Sequence, residues 1–135
     1  MRILVDTSVW VDFLNDHPSP EANALAALIA NRADLATCGV IVAEVLQGLR
    51  RESERRAVEA RFRDLVFLEA TGFDLYQRAA ELFRALRARG KTIRSTIDCV
   101  IAVVASEHQC YVLAKDRDMT TLLTSGLIAA QPWRP

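Results

Sequence analysis

The chain has 135 residues, 51% of them hydrophobic, with only five Gly and four Pro. This length suits one domain with its own core, and the composition excludes a disordered polymer. Seventeen basic residues balance seventeen acidic ones, so no global basic field marks the chain as a nucleic-acid binder.

No apolar run reaches the ~18 residues of a membrane span, and no apolar h-region precedes the first acid as in a signal peptide. Cys38, Cys99 and Cys110 are odd in number and lack CxxC or zinc spacing. They read as small core residues in a reducing cytoplasm.

In chain order, RILVD predicts a short buried strand ending at Asp6. TSVWVDFLND predicts a helix opened by Asp6, Thr7 and Ser8 and broken at DHPSP. A helix over Glu21 to Arg32 precedes a second strand, ADLATC. Two helices follow, one apolar over Gly39 to Arg50 and one charged over Glu52 to Asp64. LVFLEA is a third strand, and an amphipathic helix over Phe73 to Arg89 ends at Gly90. Ser95 to Glu107 is a helix, CYVLA a strand, Met119 to Leu123 a short helix and LIAAQ a last strand. Short apolar strands alternating with helices imply an α/β fold: a parallel sheet of about five strands flanked by helices. Ligands of such sheets bind beyond the carboxyl ends of the strands.

Four acids stand in apolar surroundings: Asp6, Glu44, Asp98 and Asp116. Three have structural explanations. Asp6 and Asp116 each precede a helix that needs an N-cap, and Ser95-Thr96-Ile97-Asp98 fits a capping box. Glu44 has none. GVIVAEVLQG puts it in the second turn of an apolar helix, with no Lys or Arg three or four residues away and Gly48 on the same face. A buried, unpaired glutamate asks for a cation. Asp12, Asp16, Glu52, Glu54, Glu59 and Glu107 read as surface residues, and Glu69 as the exposed end of a strand.

Together the four acids imply one acidic pocket. Oxygen ligands without His or Cys suit Mg²⁺ or Mn²⁺ rather than zinc. Such a site fits metal-assisted phosphodiester hydrolysis, with Thr7 or Ser8 able to orient a water or a ligand. Five basic residues and no acid run from Arg84 to Arg94, directly before the helix of Asp98. Arg87, Arg89, Lys91 and Arg94 are therefore candidate phosphate contacts. The six Arg and three Glu between Arg50 and Arg63 read as a solvated helix face.

The order VDTSVW, E in VIVAEVLQGLR, D in STIDCVIAVVA and VLAKDRDM resembles the PIN-domain ribonucleases, and the short chain with its DTSVW opening resembles their VapC-type toxins. The resemblance covers about Ile3 to Ala130. It implies a PIN-like three-layer fold over a single domain, residues 1–135. It also implies that Asp6, Glu44, Asp98 and Asp116 are the catalytic carboxylates, with Asp6, Asp98 and Asp116 as metal ligands. Asp118 takes a second acidic position near the metal, and Thr7 or Ser8 supplies the hydroxyl after the first acid. Ala114 and Met119 stand where many relatives carry Thr and an aromatic residue.

By the same resemblance the cofactor is Mg²⁺ or Mn²⁺, the substrate an RNA of the tRNA or rRNA class, and the partners a second copy of the chain and a cognate VapB-type antitoxin. Val9, Trp10, Phe13 and Leu14 follow Asp6 at helical spacing. One side of that helix is expected to form an exposed apolar groove for the antitoxin. Two other functions compete. A receiver-like Mg²⁺-binding signalling module needs paired acids after the first strand, where this chain has Asp6-Thr7. A non-catalytic PIN scaffold would not need all four acids.

Overall fold

The computed structural model describes residues 1–134. Twelve elements follow in order. They are β1 (Ile3–Val5), α1 (Thr7–Leu14), α2 (Pro20–Ala30), β2 (Leu35–Cys38), α3 (Gly39–Gln47), α4 (Glu52–Arg63), β3 (Val66–Leu68), α5 (Phe73–Ala88), α6 (Thr96–Glu107), β4 (Tyr111–Leu113), α7 (Arg117–Leu123) and β5 (Gln131–Pro132). Every strand pairing is parallel and the sheet order is β3-β2-β1-β4-β5. This is the expected α/β architecture.

β1 is central because it is buried at every position, Ile3, Leu4 and Val5 being at most 1% exposed. A strand apolar on both faces needs helices on both sides. The chain first winds outward from β1 to β2 and β3, then returns to place β4 on the other side of β1. That reversal makes the carboxyl ends of β1 and β4 the switch point, where open parallel sheets hold ligands. A receiver-type sheet runs 2-1-3-4-5. The order here differs, which removes the signalling-module alternative.

Local signals account for most helix boundaries. Ser19 accepts a hydrogen bond from the Ala22 N–H at 3.0 Å, and Pro20 occupies the first helical position of α2. α1 stops two residues short of expectation, because Asp16 turns back with φ 52°. α5 carries its apolar stripe, Leu75, Ala79, Leu82 and Leu86, into the core. α4 buries only Val58 and Phe62, and Arg55 pairs with Glu52 and Glu59 on its outer side. The charged run is thus the solvated face that was expected. Cys38, Cys99 and Cys110 are buried free thiols.

Two expectations fail. The last strand is Gln131–Pro132, not LIAAQ. β4 begins at Tyr111, which pairs with Gln131, so residues 127–130 have no strand to lie against. Pro132 is tolerated because β5 is an edge strand. The exposed apolar groove on α1 is also absent. Val9 and Trp10 are fully buried, and the Trp10 ring meets Phe62 at 4.8 Å and Phe13 at 6.0 Å between centroids. Phe13 and Leu14 pack against the core, and Val11, 40% exposed, is the one large apolar side chain that α1 shows to solvent. Val9 and Trp10 are apolar because α1 lies between the sheet and α2, α3 and α4.

Candidate active site

β1 delivers Asp6 to the switch point. Its backbone N–H donates to the Leu113 carbonyl at 2.9 Å, which joins the ends of β1 and β4. Asp6 holds the N-cap position of α1, yet its side chain makes no cap hydrogen bond. The carboxylate is turned into the cleft instead, 3% exposed, with the Ser8 hydroxyl donating to it at 3.5 Å. Burial pushes its pKa up to about 6, and the charges of Asp116 and Glu44 add to the rise.

α3 brings Glu44 to the same cleft. Glu44 is half-buried rather than buried, and it is not unpartnered: the Thr7 hydroxyl donates to its Oε1 at 2.8 Å. The expected lone glutamate is therefore tied to the residue after Asp6. Thr7 and Ser8 divide the roles that the sequence left open, one bound to Glu44 and the other to Asp6.

α6 brings Asp98. Ser95 caps the helix through its hydroxyl, which accepts from the Ile97 N–H at 3.2 Å. The Asp98 carboxyl does not close a capping box and lies against Asp116 instead. Burial, the adjacent Asp116 carboxyl and the nearby Asp6 hold Asp98 up to about 8. α7 brings Asp116 and Asp118. Asp116 does cap its helix, accepting from the Asp118 N–H at 3.4 Å. Carboxylate oxygens of Asp98, Asp116 and Asp118 lie within 4.8 Å of one another. That donor set is all carboxyl oxygen, which fits a hard divalent cation. The tightest trio contains Asp118 in place of the expected Asp6, which lines the cleft beside it.

Arg94 is the basic residue of the 84–94 run that reaches the acids. Its backbone N–H and Nε donate to Asp118 at 2.9 and 3.1 Å, and its Nη2 lies 3.5 Å from Asp116. The Arg94 contacts hold Asp118 below the usual carboxylate range. The rest of the run lies outside the cleft. Arg87 stacks over Phe83, Arg89 donates to the Ser125 carbonyl at 3.0 Å, and Lys91 is exposed.

Asp12 is a correction. It is a buried residue, 9% exposed, whose carboxylate accepts from Lys115 Nζ at 2.8 Å on the wall of the same cleft. Its surface reading failed because the partner lies 103 positions away in sequence. The cleft encloses about 530 Å³, within the ~300–1,000 Å³ typical of ligand sites. Other hollows exist between α5 and α6 and between α2 and α4. Neither gathers a group of acids, so the chemistry belongs to the acidic cleft.

The sequence matches the PIN domain over residues 3–122. It is 31% identical over 133 residues to Ribonuclease VapC11 of Mycobacterium tuberculosis, covering 98% of this chain and 99% of that protein. This chain belongs to the PIN-domain family, among the VapC ribonucleases. The fold agrees. VapBC-1 from nontypeable Haemophilus influenzae superposes with a TM-score of 0.71 at 19% identity, covering 98% of both chains. VapC20 of Mycobacterium tuberculosis, described as a sarcin-ricin loop cleaving toxin, gives 0.65 at 22% identity, covering 96% of this chain and 99% of that one.

The raised carboxyl groups make a prediction. A folded pKa above the unfolded one contributes stability that is complete below the unfolded value and is lost as pH rises through the folded value. Asp6 and Asp98 are of this kind, at about 6 and about 8. Asp12 and Asp118, both lowered, contribute stability that is lost only as pH falls below the ordinary Asp range. Metal-free protein in chelator should therefore melt at progressively lower temperature from about pH 5 to about pH 9, and Asp98→Asn should flatten the upper part of that fall. A wild-type melting temperature that stays level or rises across this range contradicts the clustered carboxylates.

Proposed function

We infer that this VapC-family protein is a metal-dependent endoribonuclease toxin that a VapB-type antitoxin restrains. The observation that carries the reading is the convergence of Asp6, Glu44, Asp98, Asp116 and Asp118, from four helices, on the switch point of the sheet. All four acids expected from sequence are present, which counts against a non-catalytic scaffold.

Asp98, Asp116 and Asp118, with Asp6 beside them, would hold Mg²⁺ or Mn²⁺. Such an ion, when bound, neutralises charge on the phosphoryl oxygens and acidifies a water. The protein's own groups do the rest. Thr7 fixes the Glu44 carboxylate by its hydrogen bond. Glu44, which has no cationic partner among the described residues, would take the proton of the attacking water as its oxygen bonds to phosphorus, while the bond to the leaving ribose oxygen breaks and that oxygen takes a proton from solvent. Ser8 orients Asp6 in the same way. The exposed cations Arg87, Arg89, Lys91 and Arg94 offer contacts to the RNA backbone on either side of the cut.

The description of VapC20 as a sarcin-ricin loop cleaving toxin supports an RNA of the rRNA class, and the family resemblance leaves the tRNA class as the other. The names VapBC and VapC support a small antitoxin partner, and the reading includes a homodimer. Buried free thiols suit the cytoplasm, and among the described residues no helix is long and apolar enough to cross a membrane.

Three measurements test this. Expression of the wild-type chain should arrest growth, and the purified protein should cut RNA only with Mg²⁺ or Mn²⁺. Asp6→Ala and Glu44→Gln should abolish both effects, and co-expression of the adjacent antitoxin gene should suppress the arrest. Harmless expression of folded protein that cuts no RNA would remove the toxin reading.

Next, Mn²⁺ at 100 times its dissociation constant should stabilise the fold by about 2.7 kcal/mol, because it binds only the folded cleft. Asp98→Ala should lose most of this gain. Indifference of the wild type to millimolar metal refutes the metal site. Lastly, neutralising Lys91 or another true phosphate contact among Arg87, Arg89 and Arg94 should lower the salt slope of RNA binding by about 0.7 to 1. Unchanged slopes for all four single substitutions would return the run to solvated surface.

A further inference from the structure

Asp116 sits on a turn that has no strand ladder to hold it. β4 ends at Leu113, α7 begins at Arg117, and Ala114, Lys115 and Asp116 bridge the two. The Asp116 backbone is extended, φ −66° and ψ 134°, so the side chains of residues 115 and 116 diverge. Asp116 faces Asp98 and Arg94. Lys115 reaches the other way, to α1, where its Nζ donates to Asp12 Oδ2 at 2.8 Å.

Asp98, Asp116 and Asp118 crowd their carboxyl oxygens within 4.8 Å of one another, so once Asp98 ionises, like charge pushes this turn away from α6. Two ion pairs oppose that push, one on each flank. Arg94 draws Asp116 and Asp118 from the side of α6, but its side chain is 73% exposed, and solvent screens it. The anions Asp12 and Asp118 are equally sheltered, but the Lys115 side chain is 42% exposed, so the Lys115 pair is the less screened of the two.

We propose that Asp12 and Lys115 form a positioning pair that holds the β4–α7 turn, and with it the Asp116 carboxyl, in register with Asp98. The proposal rests on the ribonuclease reading for its kinetic consequences. Neither residue touches the reacting atoms. Both act through Asp116, as supporting partners do in metal sites.

The full-length chain tests the pair in four variants: Asp12→Asn, Lys115→Met, the double variant and Lys115→Arg. Asp12→Asn strands only the half-exposed lysine, so it should fold. The double variant leaves no charge unpaired and guards against a misfolded Lys115→Met. After circular dichroism has established folding, Mn²⁺ affinity is titrated, and kcat, KM and the salt slope are measured on a single-stranded RNA.

Asp12→Asn and Lys115→Met should each lose about 10- to 100-fold in kcat and in Mn²⁺ affinity, with KM and salt slope unchanged. The double variant should be no worse than the poorer single variant, since both remove one interaction. Lys115→Arg should retain both properties within about threefold, because it keeps the charge.

Folded variants that match the wild type in kcat and Mn²⁺ affinity overturn the proposal and make the pair merely structural. A raised KM with a salt slope lowered by about 0.7 in Lys115→Met alone overturns it too, and makes Lys115 a phosphate contact. Wild-type protein that binds Mn²⁺ but cuts no RNA defeats the ribonuclease reading alone. The Mn²⁺ affinity of Asp12→Asn then still decides the pair.

Discussion

The structure depends on holding like charges together. Five carboxylates line one cleft, and burial pushes the pKa of Asp6 up to about 6 and that of Asp98 up to about 8. Each prefers water and distance from the others, so the force that assembles them lies elsewhere. It is the burial of β1 and the helix α6, whose residues Cys99 to Ala105 are at most 5% exposed. Apolar burial is non-directional and roughly proportional to area. It fixes where the elements lie and is insensitive to the charges carried at their ends. A site of this kind can form only at the boundary of such a core, where strands end and helices begin.

That boundary explains why capping positions and active-site positions coincide. Asp6 and Asp116 are both N-cap residues, with extended backbones that release the first turn of a helix. An N-cap side chain can satisfy the N–H groups of its helix or point along the sheet edge. Asp116 does the first through the Asp118 N–H, and the same oxygen, Oδ1, lies 3.5 Å from Arg94 Nη2 at the cleft. Asp6 gives up the cap entirely. The same residue type serves both ends, because a carboxylate near a helix N-terminus is stabilised by the helix dipole even when it makes no cap bond. The dipole and the hydroxyls of Thr7 and Ser8 thus lower the electrostatic cost of the cluster before any metal arrives.

Much of this was legible in the sequence. The strand ILV, the apolar helix around Glu44 and the run CVIAVVA mark buried elements, and an acid against each stands out by contrast. Local pattern carries such information because burial is read from neighbours. What it does not carry is partnership. Glu44 has no cation nearby in sequence, so it reads as unpaired, while its true partner is a hydroxyl 37 positions away. Asp12 sits among Val11, Phe13 and Asn15 on a helix with a polar break after it, so it reads as surface. Its partner is 103 positions away. The α1 apolar face was read as a groove because spacing shows which residues share a side and not what covers that side.

The two misread acids share a physical cause, and it concerns how charge is treated in this fold. A short parallel strand brings residues from opposite ends of the chain to one edge, since β1 and β4 are neighbours in the sheet and Ile3 pairs with Tyr111, 108 positions away. Every ion pair that crosses this seam is therefore non-local. Arg94 to Asp118 spans 24 positions and Lys115 to Asp12 spans 103. Both pairs grip the single turn that carries Asp116, from opposite sides. The acids repel over the same distances at which these cations attract, so the geometry of the cluster is a balance between the two. The exposure of the cations sets that balance: the half-exposed Lys115 is screened less by salt than the more exposed Arg94. When salt weakens the Arg94 contacts, the Lys115 pair is therefore the one that still ties the turn to α1.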